Sequence, residues 1–87
     1  MNGKEYNESV KLIFEGEYLN GIRKNGKEYN EYGKVIFDGE YLNGLRWNGK
    51  EKEYDNHGDL KLEVEILNGK GKGKEYHFNE LVYKVNF

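Results

Sequence analysis

Cysteine and proline are both missing from this 87-residue chain, and histidine occurs only at His57 and His77. The lack of cysteine excludes a disulfide framework, a Cys-ligated zinc site and a thiol nucleophile. An excess of positive charge is missing too. The chain has 14 Lys+Arg against 16 Asp+Glu, a formal net charge of -2, which argues against a general nucleic-acid binder. No apolar run approaches the roughly 20 residues of a membrane-crossing helix. The opening Met1-Asn2-Gly3-Lys4-Glu5-Tyr6 lacks the apolar core of a secretory signal. These absences lead to the expectation of a cytoplasmic protein. What is plentiful is glycine, with 12 residues, and aromatic side chains, which make up 15% of a chain only 36% hydrophobic. The length allows one small domain, residues 1–87.

Self-similarity organises the sequence. Lys-Glu-Tyr begins at Lys4, Lys27, Lys52 and Lys74, at intervals of 23, 25 and 22 residues. A block, Leu12-Ile13-Phe14-Glu15-Gly16-Glu17-Tyr18-Leu19-Asn20-Gly21, recurs as Val35-Ile36-Phe37-Asp38-Gly39-Glu40-Tyr41-Leu42-Asn43-Gly44. It returns in degraded form from Leu60 to Gly69, and a cut-off copy runs from Leu81 to Phe87. The repeats are thus about 4–26, 27–51, 52–73 and a partial 74–87. The stretch between each Asn-Gly and the next Lys-Glu-Tyr is five, seven or four residues long. Such length tolerance is usual in surface turns.

Within the block, Leu12, Phe14, Gly16 and Tyr18 alternate with polar residues such as Glu15 and Glu17, and the other copies follow suit. A period of two signals strands with one apolar and one wet face. The glycines penalise a helix, and the aromatic and β-branched residues favour strands. Asn20-Gly21, Asn43-Gly44 and Asn68-Gly69 suit tight hairpin turns, while Tyr32-Gly33 and His57-Gly58 mark the other turn of the repeat. The pattern predicts an all-β fold, an elongated meandering antiparallel sheet of about eight short strands built from β-hairpin repeats of 22–25 residues. The strands are expected near 3–7, 11–19, 24–30, 34–42, 49–55, 59–67, 71–78 and 80–87. A connection of four residues breaks the side-chain parity kept by five and seven, which predicts a bulge or another turn type near Gly69–Gly73.

A single sheet leaves one apolar face with no helix to cover it, although sheets are normally buried by a second layer. The sheet can curl so that its own rings pack together, dimerise, or be covered by a ligand. Gly16 and Gly39 would let large rings from neighbouring strands lie close over the backbone. Phe14, Tyr18, Tyr29, Phe37, Tyr41 and Tyr54 are expected to crowd this face, as core or as an open row that holds a peptide. With Trp47, Tyr83 and Phe87 they are the candidate partner-binding residues. Trp47 breaks the repeat and falls in the variable connection, which makes it the best candidate for a specific contact. The sheet edges near 3–7 and 80–87 are pairing hazards. The last, with Leu81, Val82, Tyr83, Val85 and Phe87 and only Lys84 as a deterrent, is expected to pack on a partner, a second copy or further repeats.

Chemistry-bearing residues are sparse. His77 stands where Asn7, Asn30 and Asp55 stand in other copies, and His57 stands where Tyr32 does, so both read as turn residues rather than metal ligands. The pairs Glu15 with Glu17 and Asp38 with Glu40 share a strand face about 7 Å apart, a spacing compatible with glycosidic acid/base work. Catalytic pairs are singular, however, and these recur, so they read as a solvated face balanced by cross-strand Lys and Arg. Gly69-Lys70-Gly71-Lys72-Gly73-Lys74 is a basic, Gly-rich run without the ending of a P-loop. Lys70 and Lys72, with Arg23, Lys24 and Arg46, are the candidates for contact with anionic lipid. No catalytic residue, metal ligand or cofactor site is expected.

At Phe14-Glu15-Gly16-Glu17-Tyr18-Leu19-Asn20-Gly21 and Phe37-Asp38-Gly39-Glu40-Tyr41-Leu42-Asn43-Gly44 the chain resembles a MORN-repeat protein. The family pattern is an aromatic, any residue, Gly, any residue, an aromatic, two residues and Gly, and Lys27-Glu28-Tyr29 and Lys52-Glu53-Tyr54 match the strand that follows. The third copy departs from it, with Val64 for the Gly and Ile66 for the aromatic. The resemblance implies an elongated array of hairpins and a non-catalytic role in scaffolding, dimerisation or holding an extended partner segment. It also implies two alternatives: peripheral binding to anionic phospholipid, and an inhibitory, antitoxin-like role. The expected partner is another protein or peptide, or a second copy of the chain, and not a nucleic acid.

Overall fold

The three Asn-Gly pairs set the geometry of the sheet. Asn20, Asn43 and Asn68 have φ of 53°, 53° and 51°, and the glycines that follow them lie at 76°, 81° and 78°. Two successive positive φ values make the two-residue hairpin turn whose twist matches that of paired strands. At the opposite end of the sheet, three Asx turns reverse the chain. The Oδ1 of Asn7 accepts from the amides of Ser9 and Lys11, that of Asn30 from Tyr32 and Lys34, and that of Asp55 from His57 and Asp59. Alternating these two turns produces a meander.

The computed structural model describes residues 1–77 and 80–86, with side chains through residue 73. Eight strands form one antiparallel sheet in sequence order: β1 Asn2–Tyr6, β2 Leu12–Leu19, β3 Ile22–Tyr29, β4 Val35–Leu42, β5 Leu45–Tyr54, β6 Leu60–Leu67, β7 Lys70–His77 and β8 Glu80–Asn86. The molecule measures 40 × 32 × 14 Å, a single layer. The all-β hairpin sheet expected from the sequence is therefore present.

The bulge lies elsewhere than expected. The third hairpin pairs without interruption from Leu67 with Lys70 to Leu62 with Glu75. The first two hairpins instead skip a residue. Tyr18 pairs with Arg23 and Glu17 with Asn25, leaving Lys24 over; Tyr41 pairs with Arg46 and Glu40 with Asn48, leaving Trp47 over. The identical turns fix the start of each pairing, so a surplus residue can only be taken up inside the strand. The connection of four residues is the one with no surplus. The variable segment is thus strand rather than surface turn, and the longest copy lengthens β5 to 10 residues.

A row of glycines crosses five strands in register: Gly3, Gly16, Gly26, Gly39 and Gly49. A Cβ on Gly16 would stand 2.1 Å from the Asn25 carbonyl oxygen, and one on Gly39 would stand 2.0 Å from that of Asn48. Close backbone approach, rather than space for rings alone, accounts for these glycines. The Phe14 ring reaches over Gly26. Beside the row lies the core, consisting of Phe14, Phe37, Tyr41, Val64 and Ile66 with Tyr18 and Leu62 packed against it. Tyr41 meets the Phe14 and Phe37 rings edge-on at centroid distances of 5.8 and 5.3 Å, and Tyr18 meets Phe14 at 5.6 Å, so aromatic packing runs continuously from one repeat to the next.

Candidate functional site

Strand pairing decides which side chains meet the aromatic rings. Glu28 is directly opposite both Phe14 and Phe37, and Glu5 is opposite Phe14. The Glu of Lys-Glu-Tyr, not its Tyr, therefore sits on the aromatic face. Tyr29 and Tyr54, expected there, follow register shifts at Glu28/Tyr29 and Glu53/Tyr54 and lie outside the ring cluster. The Tyr54 hydroxyl donates to the Val35 carbonyl oxygen at 2.9 Å, and the Lys34 ammonium lies 4.9 Å from its ring centroid.

Glu5, Arg23, Glu28, Arg46 and Glu51 form a charged layer over the rings. Arg23 donates to both Glu5 oxygens at 2.8 Å and approaches Glu28 at 3.8 Å. Arg46 donates to the Glu28 oxygens at 3.0 and 2.8 Å and to Glu51 at 2.8 Å. The Tyr18 and Tyr41 hydroxyls donate to Glu5 and Glu28 at 2.5 and 2.6 Å. Arg23 lies over Phe14 and Arg46 over Phe37, 4.2 and 4.9 Å from the ring centroids. Fork-shaped, stacked ion pairs of this kind close an apolar surface while keeping their charges paired. Among the described residues no buried side-chain nitrogen or oxygen lacks a hydrogen bond.

The charged layer shifts several titrations. The Arg23 hydrogen bonds hold the Glu5 carboxyl below its ordinary value, against the pull of burial and with help from Tyr18. Burial works to raise Glu28, but the hydrogen bonds from Arg46 and Tyr41 and the charges of both arginines outweigh it, and the carboxyl is lowered. Burial, reinforced by the carboxylate each phenol donates to, raises Tyr18 and Tyr41.

These contacts correct several sequence expectations. Phe14 and Phe37 are fully buried, at 0% exposure, so neither ring offers surface to a partner. Arg23 and Arg46 are engaged by carboxylates and rings and are not free for an anion. Tyr18 and Tyr41 are likewise held by their hydroxyls and ring contacts. Trp47 packs in the chain itself: its ring stands 3.0 Å from where a Gly69 Cβ would be, and its carbonyl accepts from the Gly69 amide. Lys24, Lys70 and Lys72 are exposed. His57 lies in the third Asx turn, whereas His77 is the last residue of β7 rather than a turn residue. The Tyr83 side chain and all of Phe87 lie outside the described residues.

The ladder had a sequence signal. Glu5, Glu28 and Glu51 recur at a spacing of 23, as do Arg23 and Arg46. Aligning the chain on Lys-Glu-Tyr hides it, because Glu51 precedes the third copy of that tripeptide.

The opposite face carries a second register. Lys4, Glu15, Lys27, Asp38, Lys50, Glu65 and Lys72 lie side by side across seven strands, alternating in sign. Lys4 and Glu15 are 3.5 Å apart. The recurring carboxylate pairs belong to this face, where Glu15, Glu17, Asp38 and Glu40 are all exposed and border an open groove of about 1060 Å³ above the glycine row. Among the described residues no group of three or more His, Asp or Glu is placed to hold a metal ion, and no helix is long and apolar enough to cross a membrane.

Toward the Asn-Gly turns the same face becomes apolar. Leu19 pairs with Ile22 and Leu42 with Leu45, while Leu67 pairs with Lys70. These five aliphatic residues are 46–69% exposed. The methyl Cγ2 of Ile22 lies 3.8 Å from the position of a Gly44 Cβ, so neighbouring hairpin ends adjoin and the residues form a strip. Compared with known proteins, the chain matches no family model, no curated protein and no solved structure.

Proposed function

We propose that the chain is a non-catalytic, MORN-like interaction module that seats a partner protein on the strip of hairpin ends. The observation that supports it is the exposure of Leu19, Ile22, Leu42, Leu45 and Leu67 along one side of the sheet. A contiguous exposed apolar patch with a polar border is characteristic of a protein contact surface. The border here is the row of Glu17, Asn25, Glu40 and Asn48, which pair with one another across β2 to β5. The aromatic face, by contrast, is already closed by the charged layer. The test replaces Leu42 and Leu45 by Ser and compares the variant with the intact chain in pull-down and light scattering. A bound protein or self-association should be lost with the two leucines. Unchanged partners and unchanged mass would refute the proposal.

One observation favours a second reading, contact with anionic phospholipid. Lys70 is paired directly with Leu67 at the end of the strip, and Lys24 bulges out one residue after Arg23. Aliphatic groups flanked by cations suit a charged bilayer surface. Sedimentation with vesicles of anionic lipid at low and high salt separates the readings, because lysine-driven binding falls steeply with salt.

A further inference from the structure

Strands of two kinds alternate across the sheet. β3, β5 and β7, which follow the Asn-Gly turns, each lie between two strands of the apolar block, whereas β1, of the same kind, has β2 on one side only. No strand of the described chain pairs with its outer edge.

Lys4, Glu5 and Tyr6 of β1 are less paired or less enclosed than Lys27, Glu28 and Tyr29 of β3. Glu28 accepts from Tyr41 and Arg46 and lies 3.8 Å from Arg23 of its own strand, and its side chain is 16% exposed, whereas Glu5 accepts from Tyr18 and Arg23 only and is 36% exposed. Lys27 stands opposite two carboxylates, Glu15 and Asp38, whereas Lys4 stands opposite Glu15 only. Tyr6 is 53% exposed, whereas Tyr29 and Tyr54 are half-buried.

We infer that the outer edge of β1 docks an extended segment of a partner protein whose sequence runs aromatic–acid–Gly–acid–aromatic, added antiparallel as the next strand. The register follows from β2 on β3, where Phe14 faces Glu28, Glu15 faces Lys27 and Gly16 faces Gly26. On β1 the incoming aromatic faces Glu5, its acid faces Lys4, and its Gly faces Gly3, already covered by the Tyr18 ring. Backbone hydrogen bonds to an open edge supply affinity, and alternate side chains supply selectivity.

The β8 strand of a second copy does not fit this edge. Tyr83 pairs with Glu75 as Phe37 pairs with Glu28, so Lys84 holds the position of the acid and Val85 that of the Gly. In this register β8 would set Lys84 opposite Lys4, as it is already set opposite Lys74 in its own chain, and would leave Lys4 without the carboxylate that Lys27 has on both sides. A segment with an acid and a Gly at these two positions completes the edge, and β8 has neither.

The inference rests on reading the chain as an interaction module but uses a surface separate from the leucine strip. The probe is a labelled, end-blocked peptide of sequence KVIFDGEYLN, that of residues 34–43, titrated with the full chain by fluorescence anisotropy. Saturable binding is expected, with amide shifts in the NMR spectrum centred on residues 2–6. Lys4→Glu should weaken it about tenfold, the scale of one well-placed charge contact. A peptide with Lys at both acid positions should restore it. Leu42→Ser/Leu45→Ser should leave peptide binding intact. No saturable binding, no effect of Lys4→Glu, or shifts centred on the leucine strip would overturn the inference. If the peptide fails but a protein partner is still lost with the two leucines, the interaction module stands and only the β1 edge is refuted.

Discussion

Arg23 lies over Phe14 with its guanidinium carbon 4.2 Å from the ring centroid while donating to both oxygens of Glu5. A one-layer sheet has no second layer to cover its rings, and the planar guanidinium supplies a cover. Its face rests on the ring and its edge is satisfied by a carboxylate. An ammonium cannot do both at once.

Arg23→Lys and Arg46→Lys should therefore destabilise the fold although each conserves charge. We expect about 1–2 kcal/mol each, from lost stacking and a lost second hydrogen bond. Arg46→Lys should cost more, because Arg46 serves Glu28 and Glu51. Urea unfolding measures this, with the slope as a check that the unfolded state is unchanged. A midpoint that does not move for either variant would show that the arginines act only as charges.

Val10 sits at φ 61°, where the corresponding residues of the other Asx turns are Gly33 and Gly58 at 78° and 82°. A β-branched residue in the left-handed region is strained. Val10 is also exposed, so little packing is at stake. Val10→Gly should stabilise the protein by about 1 kcal/mol, after allowing for the greater freedom of glycine in the unfolded chain. The reverse change, Gly33→Val, should destabilise it by a similar amount. If thermal melts show Val10→Gly to be neutral or destabilising, the turn is not strained.

Period-two alternation placed Phe14, Tyr18, Phe37 and Tyr41 on one face, and Asn-Gly placed three of the turns. Both signals are local, and local signals survive from sequence to fold. The Arg-Glu ladder was not read because it depends on register between strands, which the surplus residues Lys24 and Trp47 alter. Counting parity along the chain predicts a bulge or another turn type near 69–73, and the structure has neither there. The count needed a reference for which connection was regular, and only the pairing supplies one. Tyr29 and Tyr54 fall outside the ring cluster for the same reason: the register shifts at Glu28/Tyr29 and Glu53/Tyr54 are not visible in the alternation along one strand. The leucine strip went unread because each pair flanks a turn, beyond the stretch where alternation distinguishes core from surface.

The glycine row predicts a contrast between two alanine substitutions. At Gly39 a Cβ would stand 2.0 Å from a backbone oxygen and 2.6 Å from the Gly49 Cα, and neither can yield without parting β4 from β5. Gly39→Ala should cost about 3 kcal/mol or more, enough to unfold much of a marginal domain. Gly21 has open space around it but lies at φ 76°, so Gly21→Ala should cost only about 1 kcal/mol, the conformational penalty. Circular dichroism melts distinguish these cases. Equal effects would mean that strand approach at Gly39 is looser than the pairing implies.

The charged layer gives the fold a pH window bounded on both sides. Glu5 and Glu28 are lowered from an ordinary value of 4.5, so the folded state favours their ionised form. The stability they contribute is complete above pH 4.5 and drains as pH falls through their lower folded values. Tyr18 and Tyr41 are raised above 10.0, so the folded state favours the neutral phenol. Their contribution is complete below pH 10 and is lost as pH climbs toward the folded values, because the unfolded chain ionises first. The urea midpoint should therefore fall off below about pH 4.5 and above about pH 10. Glu28→Gln should lower the midpoint at neutral pH and flatten the acid limb. An acid limb of the same steepness in Glu28→Gln would place the titration outside the ladder.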